Sequence, residues 1–308
     1  MTKGGCLLGL LSCEGCPSRL PMDQRGFAED WTDPLTVLDR RRNPTTALRG
    51  MIAGGHAFLL CGGPSANEQP LEQLSRRGVW SMAVNNMAGH VRVRPQAFVC
   101  ADPPSKFSHS IWLDPGIMKF VPTPKMSGRR SKLRRKMPDG SFTDLSMEVP
   151  DCPNVWAFNR VSWLTPNDNF FRSTGACWGN HQVGVESTGQ PKTVCTMLLA
   201  LRLLYYLGAR TIYLVGVDFR MESGYGYSFG QSRTNDAVES NNAQYWAVNA
   251  WLCELQNNGT FARFGLSVYN TFQRSGLRAF PYLPFEQAVE QAVGIVEAQP
   301  ALEQWYDK

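Results

Sequence analysis

The chain has 308 residues, and its 43% hydrophobic content is that of a globular protein rather than a disordered one. This length buries one large core, so a single domain of about 250 residues preceded by an extension fits better than two equal domains. The net charge of +5 is modest but unevenly placed, no apolar run approaches the roughly 20 residues that span a bilayer, and the apolar stretch at residues 7–11 is too short for a secretory signal, so a cytoplasmic protein with no membrane partner is expected.

Residues 1–50 mix Pro, Gly and charge and read as an N-terminal arm. Within it Cys6, Cys13 and Cys16 form a CxxC with one outlying cysteine, a set able to hold zinc if a fourth ligand comes from elsewhere; a loosely ordered arm is the alternative. One short helix is predicted over 34–42, capped by Asp33 with Pro34 in its first turn. The core, residues 51–308, begins with an apolar strand at 57–61 that meets Gly62-Gly63-Pro64-Ser65. A helix over 69–77, a strand over 79–84 closing on Asn85-Asn86, and a strand over 97–101 ending in Asp102 follow. The glycine turn lies at the carboxyl end of its strand, where backbone approaches ligands and a helix start offers N–H groups to phosphate. Gly62, Gly63, Pro64 and Ser65 are therefore candidate nucleotide-binding residues by architecture, although neither GxGxxG nor GxxxxGK[ST] is present.

Lys125, Arg129, Arg130, Lys132, Arg134, Arg135 and Lys136 then occur with no acidic residue among them, and Pro138-Asp139-Gly140 turns the chain back. This predicts a basic, hairpin-like insertion over about 122–150, either a polyanion-binding element or a solvated loop. A Trp-rich segment spans 154–163, a buried helix is predicted over 192–207, and a β-branched strand over 211–217 ends in Asp218. Alternating elements predict an α/β protein with a layered sheet, and strands ending in Asp102 and Asp218 should face one crevice with the Gly62 turn. Residues 222–242, rich in Gly, Ser and Asn, read as a mobile loop over that crevice with Asp236 and Glu239 as base candidates. The nine cysteines are odd in number and several (Cys61, Cys100, Cys195) sit in apolar runs, which predicts reduced, mostly buried thiols.

The order GGPS, VNN, ADP and then TGQPKTVCTMLLALRLLYYLGARTIYLVGVDFR resembles bacterial sialyltransferases of the Campylobacter type and the related domain of archaeal 6-hydroxymethylpterin pyrophosphokinases. The resemblance covers about residues 57–105 and 188–221, and it implies a Rossmann-like, mostly parallel sheet flanked by helices, of the glycosyltransferase A-like kind. It further implies a nucleotide-sugar pocket in which Gly63 and Ser65 meet phosphate or ribose, Asn85 contacts the nucleotide with Asn86 beside it, and Asp102 sits where the family has a nucleotide-contacting Asn. Departures bear on the donor: Gly62 and Asp102 stand where the family has Asn, Arg220 stands where a tyrosine follows the strand-terminal Asp, and no histidine follows Asp218. A UDP-sugar is therefore expected in place of cytidine-monophosphate sialic acid. Its diphosphate would be neutralised by a divalent metal (Mn or Mg) with Asp102 as candidate ligand, and by Arg220 as a phosphate clamp. His181, in a polar Trp-bearing segment, and Asp218 are the candidate general bases.

The whole chain also resembles proteins of tailed phages, among which one group of glycosyltransferases occurs beside dioxygenases that hydroxylate 5-methylcytosine. That resemblance implies double-stranded, hydroxymethylated DNA as partner and 5-hydroxymethylcytosine as acceptor. Arg129, Arg130, Lys132, Arg134, Arg135 and Lys136 would follow the DNA backbone, and Trp156, Phe158, Trp163, Phe170, Phe171 and Trp178 would stack on a flipped base or else pack the core. A surface-glycan transferase, a pterin pyrophosphokinase-like enzyme and a non-catalytic nucleic-acid-binding module are the alternatives.

Overall fold

The computed structural model describes residues 32–52, 54–137, 139, 141–161, 164–180, 193–222, 226–229 and 235–293. In chain order the strands are β1 (Val37–Leu38), β2 (Pro44–Thr45), β3 (His56–Leu60), β4 (Ser81–Val84), β5 (Ala97–Val99), β6 (Met118–Pro122), β7 (Lys132–Lys136), β8 (Phe142–Glu148) and β9 (Val155–Phe158). They continue with β10 (Arg160–Val161), β11 (Ala176–Cys177), β12 (Gly179–Asn180), β13 (Thr193–Val194), β14 (Thr211–Val215) and β15 (Ser267–Asn270). The α-helices are α1 (His109–Leu113), α2 (Asn169–Arg172), α3 (Thr196–Tyr206), α4 (Asn235–Asn257), α5 (Thr260–Arg263) and α6 (Phe285–Val293).

The main sheet has the order β15-β14-β3-β4-β5-β6-β9-β1-β2, parallel from β15 to β9 and antiparallel at the β1 and β2 edge. Period-2 alternation divides its central strands between two cores: Ala57, Leu59, Ile212 and Leu214 pack with α3 on one face, while Phe58, Leu60, Tyr213 and Val215 pack with α6 on the other. Both faces are covered, which is why β3 and β14 read as continuous apolar runs. This is the expected mostly parallel α/β sheet flanked by helices. From β3 the chain builds outward through β4, β5, β6 and β9 on one side, then returns to add β14 and β15 on the other. The order therefore reverses between β3 and β14, and loops leaving the carboxyl ends of those strands frame a crevice.

Three expectations are corrected. Residues 34–42 form no helix: β1 lies there, because Leu35, Val37 and Leu38 are buried against the sheet and Asp33 spends its carboxylate on the buried guanidinium of Arg202 in α3. Arg202 also donates to the Phe171 carbonyl at 2.8 Å, so it ties the arm and α2 to the core. Residues 69–77 are not an α-helix but part of two 3-10 turns, Pro64–Glu68 and Leu71–Ser75, separated where Gln69 is extended and Pro70 cannot donate. The segment 222–242 is not loop throughout, since α4 begins at Asn235 and places Asp236 and Glu239 exposed in its first turns.

The basic excursion is a hairpin, β7 antiparallel to β8. Buried Leu133 and Ser131 anchor it, Ser131 Oγ donating to Glu148 at 2.6 Å, and β7 packs on the 3-10 turn Pro104–Lys106 that follows β5. Among the described residues no helix is long and apolar enough to cross a membrane. Cys61, Cys100, Cys152, Cys177, Cys195 and Cys253 are free thiols, whereas Cys6, Cys13 and Cys16 lie outside the described residues.

Candidate active site

A cavity of about 370 Å³ opens at the carboxyl ends of β3, β4 and β14, lined among others by Gly62, Gly63, Asn85, Asp102, Asp218 and Arg220. The order reversal places it there: the turn after β3 and the turn after β14 meet edge to edge. Gly63 N–H donates to the Gly216 carbonyl at 2.8 Å. The glycines permit this close contact, and Gly62 and Gly63 also line the cavity. A Cβ on Gly63 would stand 1.9 Å from Asp218 Oδ2, and one on Gly216, whose φ is +64°, would stand 2.2 Å from the Cys61 carbonyl oxygen. A Cβ on Gly62 would meet the Phe229 ring at 2.8 Å, so Gly62 admits an aromatic wall.

Asp218 is the hub of the joined turns. Ser65, fully buried, donates its N–H to Asp218 Oδ1 at 3.2 Å and its hydroxyl to Oδ2 at 2.8 Å. Both groups expected to face phosphate or ribose are thus turned on the carboxylate, and Pro64 is buried at the start of its 3-10 turn. Burial pushes the Asp218 carboxyl above its ordinary value, an effect the two Ser65 bonds oppose and nearby Glu68 reinforces. The carbonyls of Val217 and Asp218 are held from the β15 side by Ser275 Oγ at 2.6 Å and Gly276 N–H at 2.7 Å. The next residue, Phe219, has φ +49°, unusual for a side chain of that size, and stacks on Tyr245 of α4 with centroids 5.0 Å apart. Arg220 follows, exposed and paired with Glu222 at 2.9 Å.

Asn85 also has a positive φ, +53°, and its Oδ1 is buried with no hydrogen-bond partner among the described residues. Asn86 is half-buried and does not line the cavity. Asp102 reaches the rim, half exposed and 3.4 Å from Lys106. Among the described residues no group of three or more His, Cys, Asp or Glu converges as a metal site. Hard divalent cations collect several oxygen ligands, and one rim carboxylate paired with a lysine does not fit that set, so Asp102 is not carried forward as a metal ligand. Cys61 and Cys195 line the cavity too, but burial pushes the Cys61 thiol well up and the Cys195 thiol up to about 11, leaving both protonated and poor nucleophiles.

The cavity walls are more aromatic than the sequence reading anticipated. Tyr227 and Phe229 stack at 5.2 Å and 14°, and Ser228 between them donates its N–H to the Gly62 carbonyl at 2.9 Å. Trp178 stands at the cavity with the Arg160 guanidinium 4.7 Å over its ring. Of the other aromatics expected to stack on a base, Phe158, Phe170 and Phe171 are wholly buried in the core, Trp156 packs against that core, and Trp163 lies outside the described residues. The alternation Tyr225-Gly226-Tyr227-Ser228-Phe229-Gly230 was the visible signal for the missed wall. His181 lies outside the described residues.

Arg129, Arg130, Lys132, Arg134 and Arg135 are all exposed on the hairpin and its lead-in, and none lines the cavity. Arg134 pairs with Asp144 at 2.7 Å, while Arg129, Arg130, Lys132 and Arg135 make no ion pair with a described residue. Lys136 belongs to β7, with its side chain outside what is described.

The fold and site define an α/β protein with an aromatic cleft at the order reversal of a mostly parallel sheet and a half-buried carboxylate, Asp218, lining it. No family model and no curated protein matches the chain. Among solved structures it is similar to the sialyltransferase CstII from Campylobacter jejuni in complex with a substrate analogue, cytidine-5'-monophosphate. The identity is 13%, the TM-score 0.37, and the match covers 75% of this chain and 85% of that one. A likeness of this size transfers no residue roles.

Proposed function

We propose that this protein is a nucleotide-sugar-dependent glycosyltransferase that modifies hydroxymethylated pyrimidine, 5-hydroxymethylcytosine, in DNA. The observation that carries the reading is Asp218: a half-buried carboxylate with a raised pKa, fixed by Ser65 and followed by an arginine, at the floor of a cleft. The nucleotide occupies the aromatic cleft. Its base lies against Tyr227 and Phe229, and Asn85 Oδ1, which has no hydrogen-bond partner among the described residues, accepts a base N–H.

In the reaction the acceptor hydroxyl oxygen forms a bond to the anomeric carbon as the bond from that carbon to the phosphate oxygen breaks. The electron pair leaves on the phosphate, and the hydroxyl proton passes to Asp218. Arg220 is placed to neutralise the leaving phosphate with a guanidinium fork, which the diphosphate of a UDP-sugar requires more than a monophosphate does. A carboxylate with a raised pKa accepts a proton more readily than an ordinary one, which suits general-base work.

DNA as acceptor rests on the hairpin. Lys132 and Arg135 lie on β7, which packs on the 3-10 turn after Asp102, and exposed Arg129 and Arg130 lead into it, none of the four in an ion pair with a described residue, so a backbone laid along them would pass near the rim of the cleft. Incubation with labelled UDP-glucose, UDP-N-acetylglucosamine, GDP-mannose and cytidine-monophosphate sialic acid, each with hydroxymethylcytosine DNA, unmodified DNA or an oligosaccharide mixture, tests the reading. Label is expected on hydroxymethylated DNA from a nucleoside-diphosphate sugar. Label on the oligosaccharides alone would move the acceptor to a surface glycan, and no turnover with any pair would defeat the enzyme assignment.

A further inference from the structure

A second cavity, of about 210 Å³, adjoins the first and is lined by Pro64, Glu68, Asp218, Arg220, Glu222, Phe272 and Arg274. Asp218 and Arg220 line both cavities and so stand at their common boundary. The two spaces differ in character. The first has aromatic walls, whereas the second sets three carboxylates against two guanidinium groups, with one aromatic face, Phe272, beneath the Arg274 guanidinium at 5.4 Å.

The walls of this second cavity are fixed by buried bonds rather than by the charged groups themselves. Gln69, next after the turn that carries Glu68, donates its side-chain amide to the carbonyl and hydroxyl oxygens of Thr271 at 2.8 and 2.9 Å. Thr271 in turn donates its hydroxyl to the Leu214 carbonyl at 2.7 Å, and Phe272 N–H is held by Asn270 at 3.0 Å. Glu68 and Arg274 pair across the opening at 3.2 Å, and Glu222 and Arg220 pair at 2.9 Å. Each pair presents a fork of donors beside a set of acceptors, the alternation that the vicinal hydroxyls of a sugar bridge.

We infer that this second cavity is the subsite for the transferred sugar, and that it selects a neutral polyhydroxylated ring over an acidic sugar. The inference rests on the glycosyltransferase reading. The nucleotide lies in the aromatic cavity, the phosphate crosses at Arg220, and the sugar ring enters among Glu68, Glu222 and Arg274 with its apolar face toward Phe272. The excess of carboxylates disfavours a sugar that carries its own carboxylate, because an anion brought there meets like charge from Glu68, Glu222 and Asp218 and must part the Arg–Glu pairs.

The test measures binding of UDP-glucose against the methyl ester of UDP, which has the same charge and no sugar, and of cytidine-monophosphate sialic acid against the methyl ester of CMP. The full chain and its Glu68→Gln, Arg274→Ala and Glu222→Gln variants are used. These positions are exposed, so the variants are expected to fold, and unchanged affinity for the methyl esters verifies it. Glucose is expected to tighten binding about tenfold, an increment that each variant reduces, while sialic acid adds nothing. Equal binding of UDP-glucose and the UDP ester, an increment that survives all three variants, or tighter binding of the sialic acid donor would each overturn the inference while leaving the nucleotide site standing. Failure of every nucleotide to bind would overturn the inference together with the function on which it rests.

Discussion

The joined turns after β3 and β14 line the cleft and the basic hairpin β7–β8 packs on the 3-10 turn that follows β5, and the two regions are built in opposite ways. At the turns every atom is committed: two glycines have no room for a Cβ, Ser65 is wholly buried, and contacts link residues about 150 positions apart in the chain. On the hairpin, among the residues whose side chains are described, only Leu133 and Ser131 at its start are buried, and most of the charge stands in solvent. The contrast separates two tasks. A proton-transfer group needs a position and a pKa fixed by surrounding atoms, which only the packed region supplies. An electrostatic contact with a polyanion needs charge and reach, which an excursion supplies without tight packing.

The largest effect is expected from Gly63→Ala. Its Cβ would overlap Asp218 and the Gly216 carbonyl, so the two turns must part, at a cost of about 2–4 kcal/mol. Calorimetry should show a fall in Tm of roughly 5–15 °C, with turnover lost as well. An unchanged Tm would mean that the turns are looser than described. Asp218→Asn separates chemistry from packing: turnover is expected to fall about 10²–10⁴-fold. Its stability should not fall. Because the folded-state pKa is raised, ionisation of Asp218 opposes folding; its contribution is most favourable below the ordinary value of 3.8 and declines as pH rises through the raised one. A Tm at neutral pH equal to or above that of the unsubstituted protein is the expected outcome.

Replacing Arg129, Arg130, Lys132 and Arg135 with serine tests the other region. If each neutralises one phosphate, the slope of log affinity for DNA against log salt should fall by about 3 to 4, with Tm unchanged. A slope that does not move would reduce the hairpin to a solvated surface element. The smallest effect is assigned to Ser65→Ala, which removes one donor to Asp218 and costs about 1 kcal/mol. Since that donor holds the carboxyl down, its loss should move the acid limb of the pH–rate profile to higher pH. A shift to lower pH would contradict the assignment of Asp218 as the base.

Much of this frame was legible in the chain. The apolar runs at β3 and β14, the buried helix α3 and the strand-terminal Asp218 were read from periodicity because burial on both sheet faces leaves a plain signal. The basic run was equally legible as a hairpin-like excursion, since a turn sequence follows it. What failed were features decided by distant partners. Asp33 looks like a helix cap until Arg202 claims it. Nor does the sequence show that the Phe229 ring and Asp218 stand where a Cβ on Gly62 or Gly63 would lie. Of the cleft's rings only Trp178 is among the aromatics singled out in the sequence, because Phe219, Tyr227, Phe229 and Tyr245 come from separate segments whose only local signal is the alternation at 225–230, while the clustered Phe170 and Phe171 lie in the core.

A crystal structure of the protein soaked with UDP-glucose puts the central claim to its most direct trial. The account predicts the uracil in the aromatic cleft beside Tyr227 and Phe229, a phosphate oxygen within hydrogen-bond distance of Arg220, and the anomeric carbon facing the Asp218 carboxylate. A nucleotide bound with its phosphates away from Arg220, or with Asp218 shut off from the sugar, would contradict it.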